Sequence, residues 1–90
     1  MQHKDKIKYF NTVVGKFLKK IRQEKGYKSL NQFALAYDFD RGNFSRVERG
    51  LLSCKLSTVW KFAQANNMKF SELAKLLEEE FDKKFTLIDV

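Results

Sequence analysis

Apolar side chains recur at steps of three and four along most of this chain, the spacing of helices that each bury one stripe. The first stripe is Phe10, Val13, Val14, Phe17, Leu18 and Ile21, with Lys16, Lys19, Lys20 and Gln23 on the other side. It predicts a first helix over about residues 9–25, stopped by Gly26. A second helix is expected over about 30–37, with Phe33, Ala34 and Tyr37 facing inward. Ser29 is a good N-cap for it, and Ser29-Leu30-Asn31-Gln32 fits a capping box. Asp38-Phe39-Asp40 then breaks the pattern. Asp38 tolerates a left-handed turn better than most residues with a side chain, and Phe39 is placed to plug the core at the corner.

A third helix follows over about 41–49, capped by Asp40 and ended by Gly50, with Phe44, Val47 and the stem of Glu48 inward. At 100° per residue its opposite face collects Gly42, Ser45, Arg46 and Arg49, flanked near the start by Arg41 and Asn43. That face is polar and carries no acid. A fourth helix is expected over about 56–66, with Val59, Trp60 and Ala63 buried, and a fifth over about 70–81, carrying Phe70, Leu73, Ala74, Leu76, Leu77 and Phe81. The apolar segment 85–90 suits either a short strand or a helix extension. The expected organisation is a polar arm at 1–8, mobile or loosely helical, a folded domain at 9–81 and a tail at 82–90.

Composition narrows the class. Ninety residues suit one domain, and a hydrophobic content of 43% with nine Phe is enough for a core. The absence of Pro and the presence of only four Gly favour an all-α chain. One Cys, Cys54, cannot form an internal disulfide and gives no sign of an oxidising compartment, so a cytoplasmic home is expected. His3 with that lone Cys cannot build a metal cluster, so no metal and no cofactor are expected. No apolar run approaches a membrane span, and MQHKDKIKYF has no signal-peptide core. No nucleophile–base pair or phosphate-binding Gly loop is visible, so an enzyme is not expected.

Charge adds a direction. Residues 1–50 hold 12 Lys and Arg against 5 acids, a net +7, whereas residues 51–90 hold 6 of each. The whole excess lies in the half that carries the acid-free helix face, which points to a polyanionic partner. Two short helices joined by a tight turn, the second with a basic and amide-rich outer face, are what a helix-turn-helix needs.

The run Ile21-Arg22-x-x-x-Gly26, then Phe33-Ala34, then Phe39-Asp40-x-x-Asn43-Phe44-Ser45-Arg46-Val47-Glu48-Arg49-Gly50, resembles the lambda-repressor-like, Cro/XRE-type helix-turn-helix family. Leu56-x-Thr58-Val59-x-x-Phe62-Ala63 and Phe70-Ser71-Glu72-Leu73 look like its fourth and fifth helices, and the match covers about residues 13–77. The resemblance implies a five-helix DNA-binding domain with a short C-terminal extension, and a repressor-like, sequence-specific transcriptional regulator. It implies a structural ion pair of Arg22 with Glu48. It implies base contacts from Arg41, Gly42, Asn43, Ser45 and Arg46, in chemistry where Arg suits guanine and Asn suits adenine.

Phosphate contacts are expected from Lys28, Ser29 and Asn31 at the start of the second helix, and from Arg49 and Lys55. Three positions depart from the family pattern. Leu30 stands where a phosphate-holding Gln is common, Asp38 where a turn Gly is usual, and Cys54 where a Pro is frequent. Tyr27-Lys28 also makes the first interhelical loop one residue longer. Family members usually dimerise, and the candidate surface here is Leu76, Leu77, Phe81, Phe85, Leu87 and Ile88. The alternative partner is a basic toxin, bound through the acidic Glu78-Glu79-Glu80 end by a DNA-binding antitoxin.

Overall fold

A computed structural model describes residues 3–88, so residues 1–2 of the expected arm and 89–90 of the tail lie outside the described residues. Among the described residues the chain is all-helical: α1 His3–Glu24, α2 Leu30–Tyr37, α3 Arg41–Glu48, α4 Leu56–Ala65 and α5 Phe70–Glu78. No helix among them is long and apolar enough to cross a membrane.

The helices begin and end where local chemistry tells them to. Ser29 Oγ accepts the Gln32 amide at 3.3 Å and caps α2, although the reciprocal half of the expected box is not formed. Asp40 Oδ1 accepts the Asn43 amide at 2.9 Å and caps α3. Between them Asp38 sits at φ 57°, the left-handed position the sequence predicts, and its amide closes α2 on Ala34. Gly26 at φ 96° stops the first helix in the same conformation without a side-chain penalty.

Two boundaries differ from the sequence expectation. Helix α1 starts at His3, so residues 3–8 of the expected arm are helix continuous with the rest of α1. The cause is tertiary. The tail folds back on α1, where Phe81 and Phe85 meet Tyr9 and Phe10 with ring centroids 5.2–6.4 Å apart, and Lys6 donates to the Ile88 carbonyl. Helix α5 ends at Glu78 rather than near 81. Glu78, Glu79 and Glu80 place three carboxylates at the negative end of its dipole, which disfavours further helix. The segment after it forms turns, neither the strand nor the helix extension left open by the sequence.

The core is aromatic. Phe33, Phe44 and Phe62 are fully enclosed, with Leu18 and Leu73 beside them. Phe39 stacks on Phe33 at 5.2 Å and reaches Phe44 at 5.1 Å, plugging the corner between α2 and α3. The α1 stripe behaves as expected, with Val14, Phe17, Leu18 and Ile21 buried. In α4 the expected buried set needs correction: Phe62 and Ala63 enter the core, Val59 is only partly covered, and Trp60 remains 51% exposed. Phe62 occupies the space beside Phe33 and Phe44, so the indole lies outside, stacked on Phe70 at 4.8 Å.

Candidate nucleic-acid interface

The floor under α3 is set by α1. An added Cβ at Gly15 would fall 2.3 Å from the Val47 carbonyl oxygen and 2.6 Å from that of Glu48. Only a residue with no side chain lets the α1 backbone pass this close to the C-terminal carbonyls of α3. A Cβ at Gly50, which sits at φ 75°, would lie 2.9 Å from Thr12, about one turn earlier on α1.

One buried arginine then locks the frame. Arg22 is 2% exposed. Its Nε donates to Glu48 Oε2 at 2.8 Å and its Nη2 to Glu48 Oε1 at 3.0 Å, the two-pronged geometry that suits guanidinium and carboxylate. Its Nη1 donates to the carbonyls of Tyr27 and Lys28, at 2.5 and 2.9 Å. A single side chain therefore holds both the loop that leads into α2 and the end of α3. The pair has the residues the resemblance implies. The two carbonyl contacts are additional and give the longer loop a fixed path.

That loop has a second tie. The hydroxyls of Tyr27 and Tyr37 lie 2.9 Å apart, and this hydrogen bond, with burial and the neighbouring phenol's charge adding to it, raises the Tyr37 pKa above its ordinary 10.0. On the other side of the turn, Lys61 donates to the Asp38 carbonyl and lies 4.8 Å over the Phe39 ring. The corner between α2 and α3 is thereby tied to α4.

The outer side of α3 presents Arg41, Gly42, Asn43, Arg46 and Arg49 exposed, with Ser45 half-buried. The one acid of this helix, Glu48, is turned inward on Arg22. The exposed groups are linked to one another. Arg41 Nε donates to Asn31 Oδ1 on α2, Arg46 Nη1 donates to Asn43 Oδ1 at 3.1 Å, and Arg49 Nε reaches the Ser45 carbonyl at 3.4 Å. A Cβ at Gly42 would meet only Asp40 Oδ1, at an ordinary 3.6 Å. Packing does not demand that glycine.

Of the expected phosphate-facing residues, Lys28, Asn31, Arg49 and Lys55 are exposed. Ser29 is half-buried and its oxygen caps α2. Lys55 and Asn43 line one shallow groove of about 310 Å³, which also takes in Ser57 and Thr58 at the start of α4. Cys54 is half-covered beside it, and burial pushes its thiol up to about 11.

The residues expected at a dimer surface divide. Phe81 and Phe85 are spent on the α1–tail cluster, and Leu77 packs against the core. Leu87 is half-buried, while Leu76 and Ile88 are 40% and 70% exposed. Among the described residues no group of three or more His, Cys, Asp or Glu side chains is placed to hold a metal ion. No family model, curated protein or solved structure matches this chain.

Proposed function

We propose that this chain is a sequence-specific binder of duplex DNA and acts as a repressor-like transcriptional regulator. In this reading α2, the turn 38–40 and α3 work as a helix-turn-helix of the Cro/XRE type, with α3 in the major groove. The observation that carries it is the α3 outer face. It exposes three arginines, an asparagine and a glycine, while the helix's one carboxylate is buried on Arg22.

The division of labour follows from chemistry. Arg41, Asn43 and Arg46, with Ser45 beside them, supply base contacts. Gly42 leaves the helix bare where it meets the groove wall. Lys28, Ser29 and Asn31 at the start of α2, with Arg49 and Lys55, supply the phosphate contacts that set register. The buried Arg22–Glu48 pair touches no DNA; it holds α3 at a fixed depth relative to the start of α2.

One such unit spans only a few base pairs, so two copies on a two-fold site, half-sites about one helical turn apart, complete the reading. Leu76 and Ile88 are the members of the expected dimer set most open to a second copy. Selection of bound sequences from a random duplex pool tests the proposal. The expected product is a two-fold motif. Affinity for it should fall by about 0.9 log unit per decade of salt for each phosphate neutralised. Recovery of no motif, or a flat salt profile, contradicts it.

A further inference from the structure

Helix α4 carries more apolar surface than the fold covers. Phe62 and Ala63 supply its buried contacts, yet Leu56 and Trp60, one turn apart, stay on the outside. Leu56 is 67% exposed. With Ser57, Lys61 and Gln64 the two side chains line an open groove of about 400 Å³. Trp60 is held in one orientation there. Its ring lies nearly parallel to that of Phe70, 12° between the planes, while half of its surface stays exposed. Tryptophan is enriched among the side chains that dominate protein–protein binding energy, and apolar anchors one turn apart are how helices seat in grooves.

The surroundings set the sign of the partner. From Arg49 to Ser71 the chain has no acid, and Arg49, Lys55, Lys61 and Lys69 lie within that stretch. Among the described residues none of the four is in an ion pair. Lys61 donates to the neutral carbonyl of Asp38, which leaves its charge uncompensated. An acidic surface is therefore drawn to this face. The anchors favour a protein over single-stranded nucleic acid, since bases would stack on Trp60 but leave Leu56 without a role. A second copy fits less well. Its acidic end, Glu78 to Glu80, brings one exposed anchor, Leu76, because Leu77 and Phe81 pack inside their own chain. We propose that the Leu56–Trp60 face of α4 docks an acidic amphipathic helix of a partner protein, two apolar side chains seating on Leu56 and Trp60 and carboxylates facing the surrounding lysines. No α3 residue lines this groove, so the proposal does not depend on the DNA reading.

Trp60 is the chain's one tryptophan, so its emission reports the site directly. The test selects binders to the full chain from a displayed library of random, helix-length peptides that lack tryptophan. The expected binders carry acidic residues and two apolar side chains three or four positions apart, and they shift Trp60 emission to the blue on titration. Trp60→Ala and Leu56→Ser should each weaken them about tenfold or more. Both substitutions remove exposed side chains outside the enclosed core, and thermal melting checks that the fold is kept. Lys69→Glu keeps both anchors and places an acid at the favourable end of α5, so it should weaken the same peptides severalfold without unfolding the chain. Recovery of no acidic binder, or binders that Trp60→Ala holds equally well, overturns the proposal. A blue shift on concentrating the chain alone also overturns it and assigns the face to a second copy. Oligothymidylate that binds more tightly than any selected peptide, and is lost in Trp60→Ala, overturns it in favour of single-stranded nucleic acid.

Discussion

Gly15 and Val47 meet so closely that a methyl group on the first would lie 2.3 Å from the carbonyl oxygen of the second. This contact sets how deeply α3 sits against α1. Helix propensity alone makes Gly15→Ala favourable by about 1 kcal/mol. The clash is with backbone, which cannot swing aside like the end of a flexible side chain. Gly15→Ala is therefore expected to destabilise the fold by about 2 kcal/mol net, the usual scale for overpacking. Urea unfolding checks the sign. A more stable variant would mean that the crossing is looser than described.

The Arg22–Glu48 pair should behave as a buried ion pair, with side chains 3% and 6% exposed. Glu48→Ala leaves the guanidinium uncompensated and should cost about 3–5 kcal/mol. Adding Arg22→Met to that variant should recover part of the loss, because it removes the stranded charge. The Tyr27 and Lys28 carbonyls then lose their donor, so recovery should be incomplete. A double-mutant cycle by chemical denaturation measures the coupling.

Gly42 separates folding from binding. Its Cβ position is open, so Gly42→Ala should raise stability by up to about 1 kcal/mol. The same methyl would stand between α3 and a groove wall, so duplex affinity should fall. Thermal melting and a binding titration on one sample decide this. A variant that is both more stable and equally tight would remove Gly42 from the interface.

Cys54 gives a pH signature. Burial raises its thiol from an ordinary 9.0 to about 11. Above pH 9 the unfolded chain loses the proton while the folded chain keeps it. The unfolded state then binds fewer protons, and stability falls as pH rises from about 9 to 11. Cys54→Ala should flatten that part of the stability profile. At neutral pH a thiol reagent should label the folded chain more slowly than the unfolded one.

Much of the fold can be read in the sequence because its helices are short, amphipathic and locally capped. Ser29 and Asp40 announce the starts of α2 and α3 through side chains that bond their own backbone, and Asp38 accepts the left-handed turn between them. Gly15 is different. In the sequence it is a weak residue within an amphipathic stripe, and its reason lies in a helix that begins 26 residues later, at Arg41. Arg22 likewise stands among exposed lysines, and only the family resemblance points it toward Glu48.

The misread elements share that cause. Tail packing carries α1 back to His3, and competition for one core position decides that Phe62 is buried and Trp60 is not. The residue types on the α3 face are plain in the sequence. Their mutual bonds are not, since the pairing of Asn31 with Arg41 needs both helices in place.

The most direct test of the account compares Arg46→Ala with Lys28→Ala on a selected duplex and on random DNA. Arg46→Ala should lower affinity for the selected site by about tenfold or more and change random binding far less, so the ratio of the two collapses. Lys28→Ala should weaken both about equally. An unchanged ratio in Arg46→Ala would show that the α3 face does not read bases.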